Sequence, residues 1–292
     1  MKIRFGVGLG AEVAPPELPA VVDRLESTGV DSLWLSELVY SPAVEPFVGM
    51  AHALGRTSRL KVGTSVAVLP GRHPVLVAKQ LASLAALAPK RVLPVFGLRS
   101  AMPAEREAFV VPAGRRGAVF DESLRLLRAS LEGPTTFSGE FFSVRDVEVL
   151  PKPASHLDIW LGGSSRAGYR RIGELGDGWL GSFVTPDEAR DAVRTIRAFA
   201  EAAGREVPED HYGINLAVGD GDLPAPVIAA IRTRRPDLDP EELVARDWAQ
   251  LHRRLDRYID AGLTKFVIRP AGRGSIDAFL DAFVTELLPR EN

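Results

Sequence analysis

The chain has no cysteine, which removes disulfide frameworks, zinc–thiolate centres and cysteine nucleophiles from consideration. It also has little net charge. Against 38 Asp and Glu stand 36 Lys and Arg, leaving −2 and no basic footprint for nucleic acid. No run of like charges marks an interaction tail. Long apolar runs are missing as well, so hydropathy offers no membrane-spanning helix. The opening MKIRFGVGLG enters strand-like sequence at once, without an apolar leader, and the expectation is a cytoplasmic protein. The expected partner is a small molecule, with neither nucleic acid nor membrane involved.

What is present is an ordinary globular composition, 46% hydrophobic and 25% charged, sufficient for a large core. Short β-rich apolar runs recur at Ile3–Leu9, Ser32–Glu37, Lys61–Leu69, Arg91–Leu98, Asp158–Gly163, Asp177–Phe183, His211–Val218 and Lys265–Pro270. Each is followed by a segment of helical apolar spacing: Glu17–Ser27, Pro46–Arg56, Pro74–Ala88, Arg116–Glu132, Ser165–Leu175, Pro186–Ala203, Glu241–Ala261 and Ser275–Leu288. Ser164-Ser165 and Thr185-Pro186-Asp187-Glu188 are start signals, and Gly29, Gly55, Gly176, Gly204 and Gly262 sit where helices should stop.

The strands are almost continuously apolar, as expected when both faces of a parallel sheet are covered. Eight βα units fit an α/β fold of the (β/α)8 TIM-barrel type, a single domain over residues 1–292. An open doubly wound sheet is the structural alternative, because strand order is invisible in sequence. Residues 134–150 read as a β-hairpin around Ser138-Gly139. Residues 219–240, rich in Gly, Pro and Asp, read as a lid over the barrel mouth or as a solvated insertion.

In such a barrel the chemistry lies at the C-terminal ends of the strands, so polar residues closing a strand carry most information. That selects Ser36 and Glu37, Thr64 and Ser65, Gly97 to Ser100, Gly162 to Ser165, Ser182 and Arg269. The strongest feature is DIWLGGSSR, residues 158–166, in which a buried strand runs through two glycines and two hydroxyls into a helix. Free amides, the positive helix end and the lack of side chains suit an approaching phosphate. The plainer alternative is a tight turn whose serines only cap the helix.

Glu37 is a carboxylate at a strand end that needs solvent, a cation or a ligand donor; it moves a proton, binds a cofactor ring, or pairs with Arg269 or Arg4. His73, just beyond the third strand, and Glu105 are further proton-carrying candidates. No His–carboxylate spacing suggests a catalytic metal, and neither a Gly-x-Ser-x-Gly elbow nor a lysine phosphate loop is present. Gly6-x-Gly8-x-Gly10 lacks the spacing of a dinucleotide fingerprint.

The blocks SLWLSE, VGTSVAVLPGRHPVLVAKQLASLAALAPKRVLPVFGL and LPKPASHLDIWLGGSSRAGYRRIGELGDGWLGSF resemble the bacterial luciferase-like monooxygenase superfamily, and within it the branch of coenzyme F420-dependent oxidoreductases. The resemblance runs along nearly the whole chain. It implies a barrel with insertions, a flavin or deazaflavin at the strand ends, and a homodimer. It also implies a non-proline cis peptide at Ser65-Val66 against the cofactor ring, and a cofactor phosphate received by Leu161, Gly162, Gly163 and Ser164. With Ser36, Thr64, Gly97 and Arg99 these form the candidate cofactor site.

Two departures from the family pattern stand out. Leu38 follows Glu37 where members often carry a polar donor, and Gly97-Leu98-Arg99-Ser100 replaces a Gly-x-Gly followed by Glu. Arg99 either obstructs the ring or holds an acidic substrate or cofactor tail. The activity implied is hydride transfer between C5 of a deazaflavin and an organic substrate, with reduction of a C=C or C=N bond favoured. FMN-dependent monooxygenation is the alternative, and a barrel that has lost its cofactor is a second one.

Overall fold

The computed structural model describes residues 2–100, 102–272 and 274–292. Strands and helices alternate along them. The order is β1 (Arg4–Leu9), α1 (Leu18–Thr28), β2 (Ser32–Leu35), α2 (Pro46–Arg56), β3 (Lys61–Thr64, resuming as Ala67–Val68), α3 (Pro74–Leu87) and β4 (Val92–Leu93, resuming as Val95–Gly97). There follow α4 (Arg116–Glu132), β5 (Trp160–Gly162), α5 (Arg166–Leu175), β6 (Gly178–Ser182), α6 (Pro186–Ala202) and β7 (Tyr212–Val218). The chain then runs through α7 (Ala225–Arg234), α8 (Pro240–Leu243), α9 (Trp248–Asp260), β8 (Lys265–Pro270) and α10 (Ile276–Leu287).

The sheet closes. β1 pairs in parallel with both β2 and β8, and successive parallel pairs join β2 to β3 and β5 through β8. The break in β3 and β4 makes closure possible: Val62 and Gly63 pair with Val92 and Leu93, while Ala67 and Val68 pair with Phe96 and Gly97, and Val95 and Phe96 continue to β5. This is the (β/α)8 barrel, and the open sheet is excluded.

Inside the ring, Trp34, Val95, Leu180 and Val267 form a small core with Val66, Leu93 and Trp160 packed on it. Gly6 makes room for the indole of Trp34, because a Cβ there would lie 2.4 Å from Trp34 Nε1. The larger core lies between strands and helices, which is why both strand faces read as apolar.

Beneath the barrel, at the N-terminal ends of the strands, Asp31 is a buried carboxylate. It accepts from Lys61 Nζ at 2.7 Å and from Lys265 Nζ, with Arg4 Nε at 3.8 Å. This polar plug belongs to the stable end of the barrel, away from the strand ends that carry chemistry.

Helix starts follow the sequence signals. Ser165 Oγ accepts from Gly168 N, and Thr185 forms a capping box with Glu188. α2 spans Pro46–Arg56 as expected, ending one residue beyond Gly55. One boundary differs. The helix expected over Glu241–Ala261 is broken into α8, a short strand at Val244–Ala245 and α9, because that strand pairs with Ala217 and Val218 of β7 and Asp247 then caps a new helix through Gln250 N.

Residues Thr135–Ser138 pair antiparallel with Ser143–Val147 outside the barrel. The segment carrying α7 rests on its own apolar cluster of Leu223, Ile231, Leu243, Val244 and Ala271.

Candidate active site

A cavity of about 580 Å³ opens at the C-terminal ends of the strands. On one side it is bounded by Ser65 and Val66 in the break of β3, Gly97 to Ser100 from the last residue of β4 onward, and Gly162 to Ser164 from the last residue of β5 onward. The Ser65–Val66 peptide bond is cis. The Val66 side chain fits between two glycines, since a Cβ on Gly97 or Gly162 would come within 2.7 or 3.2 Å of its methyl groups. The result is a smooth apolar wall leading to the β5 turn.

That turn has the form of an anion site. Gly163 has φ +136°, a conformation L residues rarely adopt, and its carbonyl accepts from Trp179 Nε1 at 2.8 Å. Ser165 caps α5 by taking Gly168 N at 3.1 Å. The first-turn amides of Arg166 and Ala167 have no intrahelical acceptor, so they remain donors for a ligand. Ser164 lines the cavity, as does exposed Arg99, two residues past the end of neighbouring β4, adding a hydroxyl and a cation.

A chain of hydrogen bonds crosses the floor. Arg269 Nη1 donates to Ser36 Oγ and Nη2 to Ser65 Oγ, both at 3.1 Å. Ser65 Oγ in turn donates to Asn215 Oδ1 at 2.7 Å, and Asn215 Nδ2 to Ser182 Oγ at 3.0 Å. Strands from around the ring are thus tied to one polar layer, which fixes the wall carrying Val66.

Of the sequence candidates, Ser36, Ser65, Val66, Gly97, Arg99, Gly162, Gly163 and Ser164 all line this cavity. Four others lie away from this cavity, and Glu37 lines it with its carboxylate already engaged. Thr64 is fully buried behind the wall, where its hydroxyl donates to Val95 O at 2.6 Å and accepts from Val95 N at 2.8 Å. Leu161 faces the outer core, as the alternation of a strand requires between Trp160, packed inside the ring, and cavity-lining Gly162.

His73 is exposed at the start of α3 and meets Phe142 of the hairpin edge-on at 5.6 Å between ring centroids. Glu105 is buried behind the rim, where it accepts from Ser100 Oγ and from Tyr40 N. Glu37 does line the cavity, but its carboxylate is already engaged. Val68 N donates to Oε2 at 2.7 Å, Arg72 Nη1 to Oε2 at 3.0 Å and Arg72 Nη2 to Oε1. Its partner is therefore Arg72, which arrives from the turn after β3, and neither Arg269 nor Arg4. An ion-paired, backbone-bonded carboxylate is a poor proton carrier.

Thr64 furnishes a clean test of what is wall and what is support. Thr64→Val keeps the volume but leaves both Val95 polar groups buried without partners. It is expected to lower stability by about 1–3 kcal/mol in urea unfolding while cofactor affinity stays unchanged. Weakened binding at unchanged stability would return Thr64 to the site.

Sequence reasoning missed Asn215, Arg234 and Tyr258. Asn215 was findable as the polar residue in an otherwise apolar YGINLAV, whereas Arg234 reaches the cavity only because α7 folds back over the mouth. Among the described residues, His156, Asp158 and Asp177 place ligand-type atoms together, but at the other end of the barrel. There Arg128 and Arg205 already occupy Asp177, which leaves that cluster as an ion-pair network.

Residues 1–226 match the family of luciferase-like monooxygenases. The chain belongs to that family. An uncharacterized protein of Mycobacterium tuberculosis is 36% identical over 177 residues, which span 60% of this chain and 60% of that relative. An F420-dependent glucose-6-phosphate dehydrogenase of Beutenbergia cavernae is 27% identical over 332 aligned positions, covering 99% of this chain and 97% of that one. Among solved structures, an F420-dependent secondary alcohol dehydrogenase in complex with an F420–acetone adduct superposes with a TM-score of 0.87 at 17% identity, over the whole of both chains. That likeness shows the luciferase-like barrel fold.

Proposed function

We propose that this chain is a coenzyme F420-dependent oxidoreductase that moves a hydride between the reduced deazaflavin and a small organic substrate, reducing an activated C=C or C=N bond. The observation that carries the reading is the pairing of the Val66 wall with the Gly163–Ser164 turn at the N-terminus of α5, in one cavity at the barrel mouth. Glycines 97 and 162 give their side-chain space to Val66, which forms the wall a flat ring would meet, and Gly163 leaves open the turn its phosphate would meet, so the residues present fit the cofactor. When bound, F420 supplies a two-electron hydride donor or acceptor at ring C5.

The chain's own residues then bind, orient and exclude water. The open amides of Arg166 and Ala167, with Ser164 and Arg99, would hold the phosphate; Val66 and the floor layer would set the ring plane. Oxidising an alcohol calls for a base to take the hydroxyl proton. Among the described cavity-lining residues there is no histidine, and the one carboxylate, Glu37, is held by Arg72. Reduction of an activated double bond is less demanding, because the proton that completes it can come from water.

The test is titration of the purified protein with F420 and, separately, FMN, followed by cofactor fluorescence. Micromolar binding of F420 alone is the expected result. Preference for FMN would move the reading to monooxygenation, and binding of neither would sink both. A single cytoplasmic domain, with the α7 segment as its lid, working as a homodimer, completes the proposal. Size-exclusion chromatography tests its last part.

A further inference from the structure

The charges facing the cavity do not balance. Its lining carries Glu37, Arg99, Arg234 and Arg269, and Glu37 is already neutralised by Arg72. Among the described residues, no carboxylate lies within ion-pair distance of any of the three lining arginines. Arg99 sits with the β5 turn on the cofactor side. Arg234 lies on α7 and Arg269 at the end of β8, three strands round the ring from β5, with the Arg269 guanidinium reaching across the floor to Ser65.

Both guanidiniums are held in place by the fold. Ser36 and Ser65 take two of the five N–H donors of Arg269, and its Nε is buried without a partner next to Gly8, the residue whose missing Cβ leaves it space. Arg234 lies over the ring of Phe183, 4.7 Å from its centroid. Phe183 has φ +57°, an uncommon backbone for a bulky residue, and its carbonyl accepts from Arg235 Nη1 at 2.6 Å. Arg235 is pinned in turn to Glu188, so the end of α7 is clamped where it presents Arg234 to the cavity.

Desolvation pushes the Arg269 guanidinium below its ordinary value; Glu12 offsets part of this, and the like charge of Arg234 adds to it. An arginine in such surroundings stays charged, so buried Arg269, with exposed Arg234 beside it at the cavity, favours an anion there. Aliphatic Leu243 and Val244 and the ring of Phe183 provide the apolar surface beside it.

Resting on the reading that the β3–β5 side takes the cofactor, we propose that the other half of the cavity binds a small organic acid. Its oxyanion, carboxylate or phosphate, is held by Arg269 and Arg234, and its apolar body lies against Phe183, Leu243 and Val244. Where that group is a carboxylate, a C=C bond conjugated to it would be the acceptor of a hydride supplied by reduced F420; a phosphate would only anchor a substrate whose acceptor bond lies elsewhere. Hydride adds to the carbon remote from the acid and the π pair moves toward the oxyanion. The two arginines stabilise the added charge, and water then protonates the adjacent carbon.

The experiment is calorimetric titration of F420-saturated protein with inorganic phosphate, with malonate and with neutral glycerol. Saturation of the β5 turn beforehand confines the reading to the second site. At least one anion should bind saturably and glycerol should not; Arg269→Gln and Arg234→Gln should each weaken that anion about tenfold or more. Binding of phosphate alone assigns phosphate esters, and binding of malonate alone assigns carboxylic acids. Because Arg269→Gln is the riskier variant for folding, Arg234→Gln on the exposed helix keeps the test decisive. The proposal falls if neither anion saturates, if both variants bind like wild type, or if Arg269→Gln weakens F420 and leaves the anion unaffected. Failure of F420 itself to bind would overturn the cofactor reading instead, and the same titration on unloaded protein would still decide whether these arginines hold an oxyanion.

Discussion

Replacing Asp31 with asparagine is expected to lower the unfolding free energy by about 3–5 kcal/mol, the range for removing one partner of a buried ion pair. The side chain is nearly inaccessible and faces the ammoniums of Lys61 and Lys265 and the guanidinium of Arg4. Burial alone would push its carboxyl pKa up, but the charge of Lys265 and its hydrogen bond, joined by Lys61, override this and hold it well below the usual carboxylate range. Asparagine keeps the shape and leaves like charges facing one another under the barrel.

The pH dependence has a definite sign. A carboxylate whose folded pKa is depressed contributes stability that is complete above its unfolded pKa, about 3.9, and is lost as pH falls through the folded value. The gap between wild type and variant should therefore be full at neutral pH and close progressively in acid below about pH 4. Urea midpoints measured across that range check both claims. A gap that stays constant down to strong acid would mean that the difference does not come from the ionisation of Asp31.

Much of this fold is legible in the sequence because a parallel barrel covers both faces of its strands, so each strand stands out as a short apolar run. Closure is not legible. It depends on β3 and β4 each breaking into two segments that pair in turn, and nothing local in Lys61–Val68 or Val92–Gly97 announces that register. The site divides along the same line. The β5 turn is a local feature, two glycines and two hydroxyls between strand and helix, and its residues alone read as an anion turn. Glu37 stands out as a carboxylate needing a partner, but the partner is set by tertiary contact, and Arg72 comes from 35 residues away. His73 and Glu105 offer titratable chemistry near strand ends, yet the fold turns one out to the hairpin and buries the other behind the rim. Arg269 is visible as a polar residue closing a strand, while the role proposed for it rests on tertiary contacts: among the described residues no carboxylate comes within ion-pair distance of it.

Gly163→Ala should weaken binding of the phosphate-bearing cofactor by about 10- to 100-fold, corresponding to roughly 1–3 kcal/mol of backbone strain at a conformation that only glycine adopts readily. Space does not limit the substitution, since the nearest atom to an added Cβ is Gly168 Cα at 4.0 Å. The difficulty lies in the backbone, with φ at +136° and the carbonyl tied to Trp179. Relaxing that strain rotates the peptide units leading into α5 and turns its open amides away from the phosphate. The measurement is a parallel titration with F420 and with the deazaflavin riboside that lacks the phosphate. F420 should lose affinity while the riboside keeps it, because the ring rests against Val66 and the floor layer, which Gly163 does not touch. Equal losses for both ligands would place the phosphate elsewhere and leave the turn as a simple helix start. Unchanged binding of both would mean that the loop relaxes without moving its amides.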